Sequence, residues 1–265
     1  MGTPDDSTPD DIRPGEATPN RADRRPFWTH LPGGRETAMV AIIAFVLGLA
    51  TAIVFTAWPQ FDIAVSRLFF SGDVFPMTQE WFWRFLRTVF LNGFTAWYIL
   101  ITVGCVVTFK QQPALLGFDF RKWLYLAICS IGGPLLLVNI ILKDHWGRWR
   151  PREIIQLGGE DLHTTPLDWS GTCIDNCSFV SGEVASMVMA FIALAFVTTA
   201  WRPIFYALAI FMGLLEALIR VGQGGHFISD ALFAGVFMVL VAAAIYWAMF
   251  LYRDRRSRYG RLPRP

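Results

Sequence analysis

Six apolar runs separated by polar and charged stretches dominate the chain: 37–58, 88–109, 123–142, 184–201, 204–219 and 227–251. A helix needs ~20 residues to cross the hydrocarbon core of a bilayer, within a range of ~17–25. Four runs meet this comfortably, 184–201 is at the short end, and 204–219 needs Arg220 and its neighbours to complete the crossing. The pattern predicts an all-α integral membrane protein with six transmembrane helices over 37–252. The Arg202-Pro203 pair predicts a tight turn, because proline disfavours helix in the residue before it. Between the first two runs, 61–70 and 80–87 mix aromatics with isolated charges and are expected to lie in the interface.

Segments 1–36 and 253–265 are polar and cannot bury enough apolar surface to fold. The first is expected to be a disordered cytoplasmic segment and the second a basic cytoplasmic tail. The first apolar run starts too far into the chain, and is too long, for a cleaved leader, so it is expected to be an anchor.

Composition agrees with the bilayer assignment. Hydrophobic residues make up 54% of 265 positions and charged residues 17%, against ~25% charged in a soluble domain. Eleven Trp and 23 Phe suit aromatic belts at the two interfaces. The net charge of +2 and the lack of a basic stretch interleaved with aromatics argue against a nucleic-acid partner.

Charge placement orients the bundle. With both termini on one side, that side carries 15 of the 23 Lys and Arg. The opposite side carries eight: Arg67, Arg84, Arg87, Lys143, Arg148, Arg150, Arg152 and Arg220. The excess marks the cytoplasmic face, so both termini are expected inside.

In this topology Lys143 ends the third span, Ser181 opens the fourth, Arg220 ends the fifth and His226 opens the sixth, all at the outer face. Charged groups at the edge of lipid are costly unless paired or used, which makes this set a candidate active site. Cations beside an imidazole and a carboxylate can attack a phosphate ester. His226 and Asp230 are four apart, so on a helix they share a face and can touch. A carboxylate accepting from one ring nitrogen leaves the other free to attack phosphorus. Fixed cations stabilise the charge that spreads over the equatorial oxygens, and arginine can take two oxygens at once. Glu216, one turn before Arg220, is expected to pair with it and fix its side chain. Arg148 and Arg152 are expected to be solvated or in contact with headgroups.

The pattern Lys143-x6-Arg150-Pro151, then Ser181-Gly182, then Arg220-x5-His226-x3-Asp230 resembles the type 2 phosphatidic acid phosphatase superfamily over roughly 141–230. The resemblance implies a phosphatase or phosphotransferase that needs no metal or cofactor and works through a phosphohistidine. His226 would be the nucleophile and Asp230 its orienting partner. Lys143, Arg150, Ser181, Gly182 and Arg220 would hold the phosphate. The implied partner is a membrane lipid bearing a phosphate or diphosphate, met at the outer, periplasmic face of a bacterial-type inner membrane. Competing functions are a phosphotransferase acting between lipids or sugars, and a catalytically silent lipid-phosphate binder or transporter.

Two positions depart from the family pattern. Its second motif is usually Pro-Ser-Gly-His, whereas this chain has Val180-Ser181-Gly182-Glu183, and Ile219 stands where serine commonly precedes the arginine. The missing histidine is the family's proton donor to the leaving oxygen. A free Glu titrates near ~4.3 and cations depress it further, so an ionised Glu183 is no general acid. Three alternatives stay open: burial makes Glu183 the acid; His145 or His163 donates the proton; or the leaving group needs little help, as in a lipid A 1-phosphate or a polyprenyl diphosphate.

Cys173 and Cys177 fall in what the topology makes an oxidising compartment, which predicts a small disulfide-closed loop. The alternative, a metal site with His163, lacks a fourth ligand. Cys105 and Cys129 fall within spans and are expected to be buried small residues.

Overall fold

A computed structural model describes residues 33–111 and 114–251. Among these the chain is all-helical, with isolated β-bridges and no strand. The expected disordered segment, up to residue 32, and the basic tail lie outside the described residues. Helix α1 spans Gly34–Ala57 and α2 spans Gln60–Arg67. Helix α3 spans Trp81–Gln111, α4 Phe120–His145 and α5 Gly182–Val197. Helix α6 spans Arg202–Gly222 and α7 Ile228–Leu251.

Five of these (α1, α3, α4, α6 and α7) are long and apolar enough to cross a membrane. The run expected at 184–201 forms only the 16-residue α5. Its neighbour is longer than expected, because Pro203 sits in the first turn of α6, where its missing N–H costs nothing. The expected interfacial segment 80–87 is not separate either: from Trp81 it is the first two turns of α3. The segment 61–70 does begin as the short helix α2.

Helix α4 starts where the Asp119 side chain accepts from the Lys122 amide at 2.9 Å. Beyond Ser130 its backbone widens to a π-helical pattern over Ile131–Leu142, the stretch that contains Pro134. Proline can donate no hydrogen bond and crowds the preceding turn, so the regular ladder cannot run through it.

Helix α5 is the centre of the bundle and packs against α4, α6 and α7, while α1 lies on α7 and α3 on α4. Val184, Ala185, Met189, Ile192, Ala193 and Phe196 of α5 are all buried. Glycine permits the close approaches: a Cβ at Gly48 of α1 would lie 2.9 Å from Val236 Cγ1 of α7. The outer faces of α1 and α3 leave Ile42, Phe45, Ile53, Phe85 and Ile99 about half exposed or more. Water would penalise so large an apolar surface; lipid would not.

The loop between α4 and α5 folds over one end of the bundle. A disulfide joins Cys173 and Cys177, with Cα atoms 5.8 Å apart, as the sequence predicts. Cys177 donates its amide to the Lys143 carbonyl at 3.2 Å, and Ser178 donates to the Arg148 carbonyl at 2.7 Å. The entry to α5 is thereby tied to the exit of α4. Cys129 is buried and Cys105 half-buried, both unpaired with another cysteine.

Candidate active site

The ends of four helices, α4, α5, α6 and α7, meet at this end of the bundle. A Cβ placed on Gly182 would come within 3.4 Å of Lys143 Nζ, so the α4 ammonium lies against the first turn of α5. A Cβ on Gly225 would meet Arg220 Nη2 at 2.5 Å, which packs the α6 guanidinium on the turn carrying His226. Lys143, Arg150 and Arg220 lie within electrostatic reach of one another, and Arg220 and Lys143 within that of His226. The Ser181 hydroxyl is buried without a hydrogen-bond partner among the described residues, as is Arg220 Nε. An orphaned hydroxyl at the N-terminus of α5, beside cations, makes an anion-binding arrangement.

His226 lies close to Asp230, as the i,i+4 spacing predicts, although the histidine is not on the helix itself. It precedes α7 and lies in the turn before the first helical residue. Its Nδ1 is 2.6 Å from the Ser178 carbonyl oxygen and 3.8 Å from Asp230 Oδ2, beyond hydrogen-bond reach. A carbonyl only accepts, so Nδ1 carries the proton and Nε2 holds the lone pair. Burial lowers the imidazole pKa to about 4, with Arg220 adding to the effect and Asp230 opposing it. The ring is therefore neutral at ordinary pH, with the lone pair on Nε2.

Asp230 acts on the scaffold around the ring. Its Oδ2 accepts from Ser178 Oγ at 2.5 Å and from the Phe227 amide at 2.9 Å, and Ser181 donates its amide to the Asp230 carbonyl at 3.4 Å. It holds together the strip that supplies the Ser178 carbonyl and the turn that carries His226.

Arg148 corrects the expectation of a solvated or headgroup-bound side chain. It is fully buried and pairs with Asp62 at 2.8 Å and with Asp230. Its remaining donors reach Ser229 Oγ at 2.9 Å and the Thr164 carbonyl at 3.0 Å, and its guanidinium lies over the Phe227 ring. Asp62 in turn accepts from the Ser229 amide at 3.1 Å and the Ser229 hydroxyl at 2.6 Å. Helix α2 is thus bonded to the start of α7 through charges that all have partners, the condition under which buried ions are tolerated. The sequence showed Asp62 only as an isolated charge among aromatics and gave no signal of its partner.

Glu183 also has a partner that sequence reasoning missed. Both carboxylate oxygens accept from Arg87 of α3, at 2.7 and 2.9 Å, and Oε1 is 3.4 Å from Arg220 Nε. Arg87 lay one residue outside the run expected to form the second span, which hid its place on the helix. The expected Glu216–Arg220 ion pair does not form. Arg220 Nη1 donates to Gln223 at 3.0 Å, and both Glu216 oxygens are buried without a hydrogen bond among the described residues. Arg150 is held by the Asn176 carbonyl, which accepts from Nε at 3.2 Å and Nη2 at 2.6 Å, leaving Nη1 uncommitted by these bonds.

Of the alternative proton donors, His145 is exposed and bonds the Ile141 carbonyl of its own helix at 2.9 Å. His163 packs against Phe227 and lies 3.5 Å from Arg148 Nη2, beside the buried pair rather than Glu183. Among the described residues no group of His, Cys, Asp and Glu could hold a metal ion.

Comparison with known proteins identifies the family. The PAP2 superfamily profile matches residues 122–254. The chain belongs to the PAP2 superfamily. It is similar to the lipid A 4'-phosphatase of Rhizobium leguminosarum, with 32% identity over 77% of this chain and 94% of the relative. Proteins of the same name from Francisella tularensis subsp. novicida and Rhizobium etli are each 30% identical to it. Those matches cover 80% and 77% of this chain, and 97% and 85% of the relatives. No solved structure matches.

Proposed function

We propose that this protein removes the 4'-phosphate of a lipid A-type glycolipid through a phosphohistidine on His226. Its class, a membrane lipid phosphatase, follows from family membership and from relatives that carry that activity in their names. The position of the phosphate comes from those names and replaces the 1-phosphate suggested by leaving-group chemistry alone. The observation that carries the mechanism is the Ser178 carbonyl on His226 Nδ1, which leaves Nε2 free to attack.

In the first step Nε2 forms a bond to phosphorus as the bond to the sugar oxygen breaks, and that oxygen takes a proton from solvent water. Lys143, Arg150 and Arg220, with the Ser181 hydroxyl and the Gly182 amide, would neutralise the equatorial oxygens. The Ser178 carbonyl stabilises the positive charge that the phosphorylated ring acquires. Water then attacks phosphorus, the P–N bond breaks, and the neutral imidazole returns.

The lipid part has a matching surface. An apolar groove of about 460 Å³ runs between α1, α6 and α7 over α5. Its wall includes Val184, next to Glu183, and Ile228, two residues from His226. An acyl chain lying there would bring its headgroup to the cationic end. Six crossings with the pocket outside the cytoplasm fit the cation bias of the sequence. Helix α5, about 24 Å long at 1.5 Å per residue, would be the short central crossing, shielded from lipid by its neighbours.

The test is inorganic phosphate release by the detergent-purified protein from lipid A, phosphatidate and polyprenyl diphosphate. Release from lipid A that disappears in His226→Ala is the expected result. Undiminished turnover by His226→Ala, or preference for another lipid, would overturn it.

A further inference from the structure

We propose that a recess beside the catalytic pocket, floored by Arg220, is a second anion subsite that binds another acidic group of the same substrate. The proposal deepens the lipid phosphatase assignment above and rests on it for the identity of the substrate.

The recess is a cavity of about 270 Å³ lined by Arg84, Arg87, Arg152, Arg220, Thr78 and Gln223, among others. Among the described residues no carboxylate lines it. Three elements supply its four guanidinium groups: α3 gives Arg84 and Arg87, the loop after α4 gives Arg152, and the end of α6 gives Arg220. His226, Lys143, Arg150 and Ser181 do not line it, so the recess is a neighbour of the proposed phosphate pocket rather than the same space.

Arg220 joins the two. It lies against the turn bearing His226 and also forms part of the recess. The charges nearby are not balanced. Glu183 is shared between Arg87 and Arg220. Arg152 has only the half-exposed contact to Glu153 at 3.6 Å. Arg84 is exposed and has no ion pair among the described residues. Four fixed cations set against three carboxyl groups, Glu183, Glu153 and the Glu216 that faces Arg87 and Arg220, leave a positive field in a concave polar space, and such fields concentrate anions. Planar guanidinium groups suit phosphate or carboxylate oxygens in particular.

A substrate carrying one anion at the catalytic pocket and a second on the same headgroup would place them on either side of Arg220. The ligand class is therefore a sugar phosphate or carboxylate attached to the lipid being hydrolysed. Arg84 and Arg152 select for it without touching the reacting phosphate. Free inorganic phosphate has the same chemistry and is the competing occupant.

The decisive measurement is binding to His226→Ala protein in detergent, which does not depend on turnover. Two lipids are compared: bisphosphorylated lipid A, and the monophosphorylated form that retains only the 4'-phosphate. The bisphosphorylated lipid is expected to bind at least tenfold more tightly. Adding Arg84→Gln and Arg152→Gln should erase that advantage and leave the monophosphorylated lipid unaffected, whereas Arg84→Lys with Arg152→Lys should retain most of it. Equal or absent binding of the two lipids would overturn the proposal, as would a double Gln variant that weakens both alike. Binding of inorganic phosphate that the Gln variants abolish, together with equal lipid affinities, would assign the recess to free phosphate and also overturn it. Failure of the unsubstituted protein to release phosphate from either lipid would count against the phosphatase assignment instead, because the affinity comparison stands apart from it.

Discussion

Arg148 and Asp230, 82 positions apart in sequence, form an ion pair from which solvent is fully excluded. With Asp62 on its other side, the guanidinium connects α2, the loop after α4 and the start of α7. The Asp230 carboxylate passes this order on through Ser178, whose carbonyl holds His226. A charge network at the base of the site thus orders the carbonyl that sets the tautomer of His226.

Breaking that network should cost stability as well as rate. Arg148→Gln leaves two buried carboxylates short of their cation, a change worth about 3–5 kcal/mol when one partner of a buried pair is removed. Arg148→Lys should rescue little, since one ammonium cannot reproduce the fork that bonds Asp62, Ser229 and Asp230. Thermal unfolding in detergent, read alongside phosphate release, checks both statements. A Lys variant as stable as the parent would refute the geometric argument.

Ser178→Ala isolates the positioning role. It removes the hydroxyl that donates to Asp230 but keeps the backbone carbonyl that anchors His226. A lost hydrogen bond to a buried charge is worth about 1.5–3 kcal/mol. If half of that reaches the transition state, kcat falls by roughly threefold to tenfold with KM little changed. A rise in KM at constant kcat would place Ser178 in substrate binding instead.

Glu183 is committed as an acceptor. With both oxygens on Arg87 and one near Arg220, it holds two cations in place and has no uncommitted oxygen from which to donate a proton. Glu183→Gln should therefore lower kcat/KM by about the same factor, on the order of tenfold or more, across substrates of graded leaving-group quality. A loss that deepens steadily as the leaving group worsens would restore Glu183 as the general acid. Arg87→Gln should reproduce the Glu183→Gln defect, and combining them should add little.

What could be read from sequence, and what could not, follows the range of each signal. Apolar runs and the motif order identified the bundle, the family and the set Lys143, Arg150, Ser181, Arg220 and His226, because hydropathy and short spacings are local. The Cys173–Cys177 bridge was legible for the same reason. The partners of the charges were not. Arg148 looked solvated because nothing near it in sequence opposes it, while Asp62 and Asp230 lie 86 and 82 positions away. Glu216 lies at the right spacing for Arg220, but Arg220 is taken up by Gln223 and Glu183. Helix spacing brought His226 and Asp230 together correctly, at 3.8 Å, but did not show that the helix begins only at Ile228 and that the ring bonds the Ser178 carbonyl instead.

The last prediction concerns pH. His226 and His163 both lie outside the helices, and burial lowers each pKa to about 4, against an ordinary value of ~6.5. The folded protein thus holds both rings neutral under conditions in which the unfolded chain would protonate them. Where the unfolded state binds more protons, stability falls as pH falls. Above about pH 6.5 the two states carry the same charge on these rings and the effect vanishes. Between 6.5 and about 4 the protein loses stability progressively, and below about 4 the loss levels off because the folded rings protonate too. Unfolding temperatures measured from pH 8 to pH 4 should be flat in the upper half and fall in the lower half. His163→Gln should remove about half of the slope contributed by the two rings, and His226→Gln the other half. Since carboxylates also titrate near the bottom of this range, the difference between parent and variant is the quantity to read. A difference that stays constant across pH 4 to 6.5 would mean the rings are not held neutral. The neutral imidazole that the proposed mechanism needs at His226 would then lose its electrostatic basis.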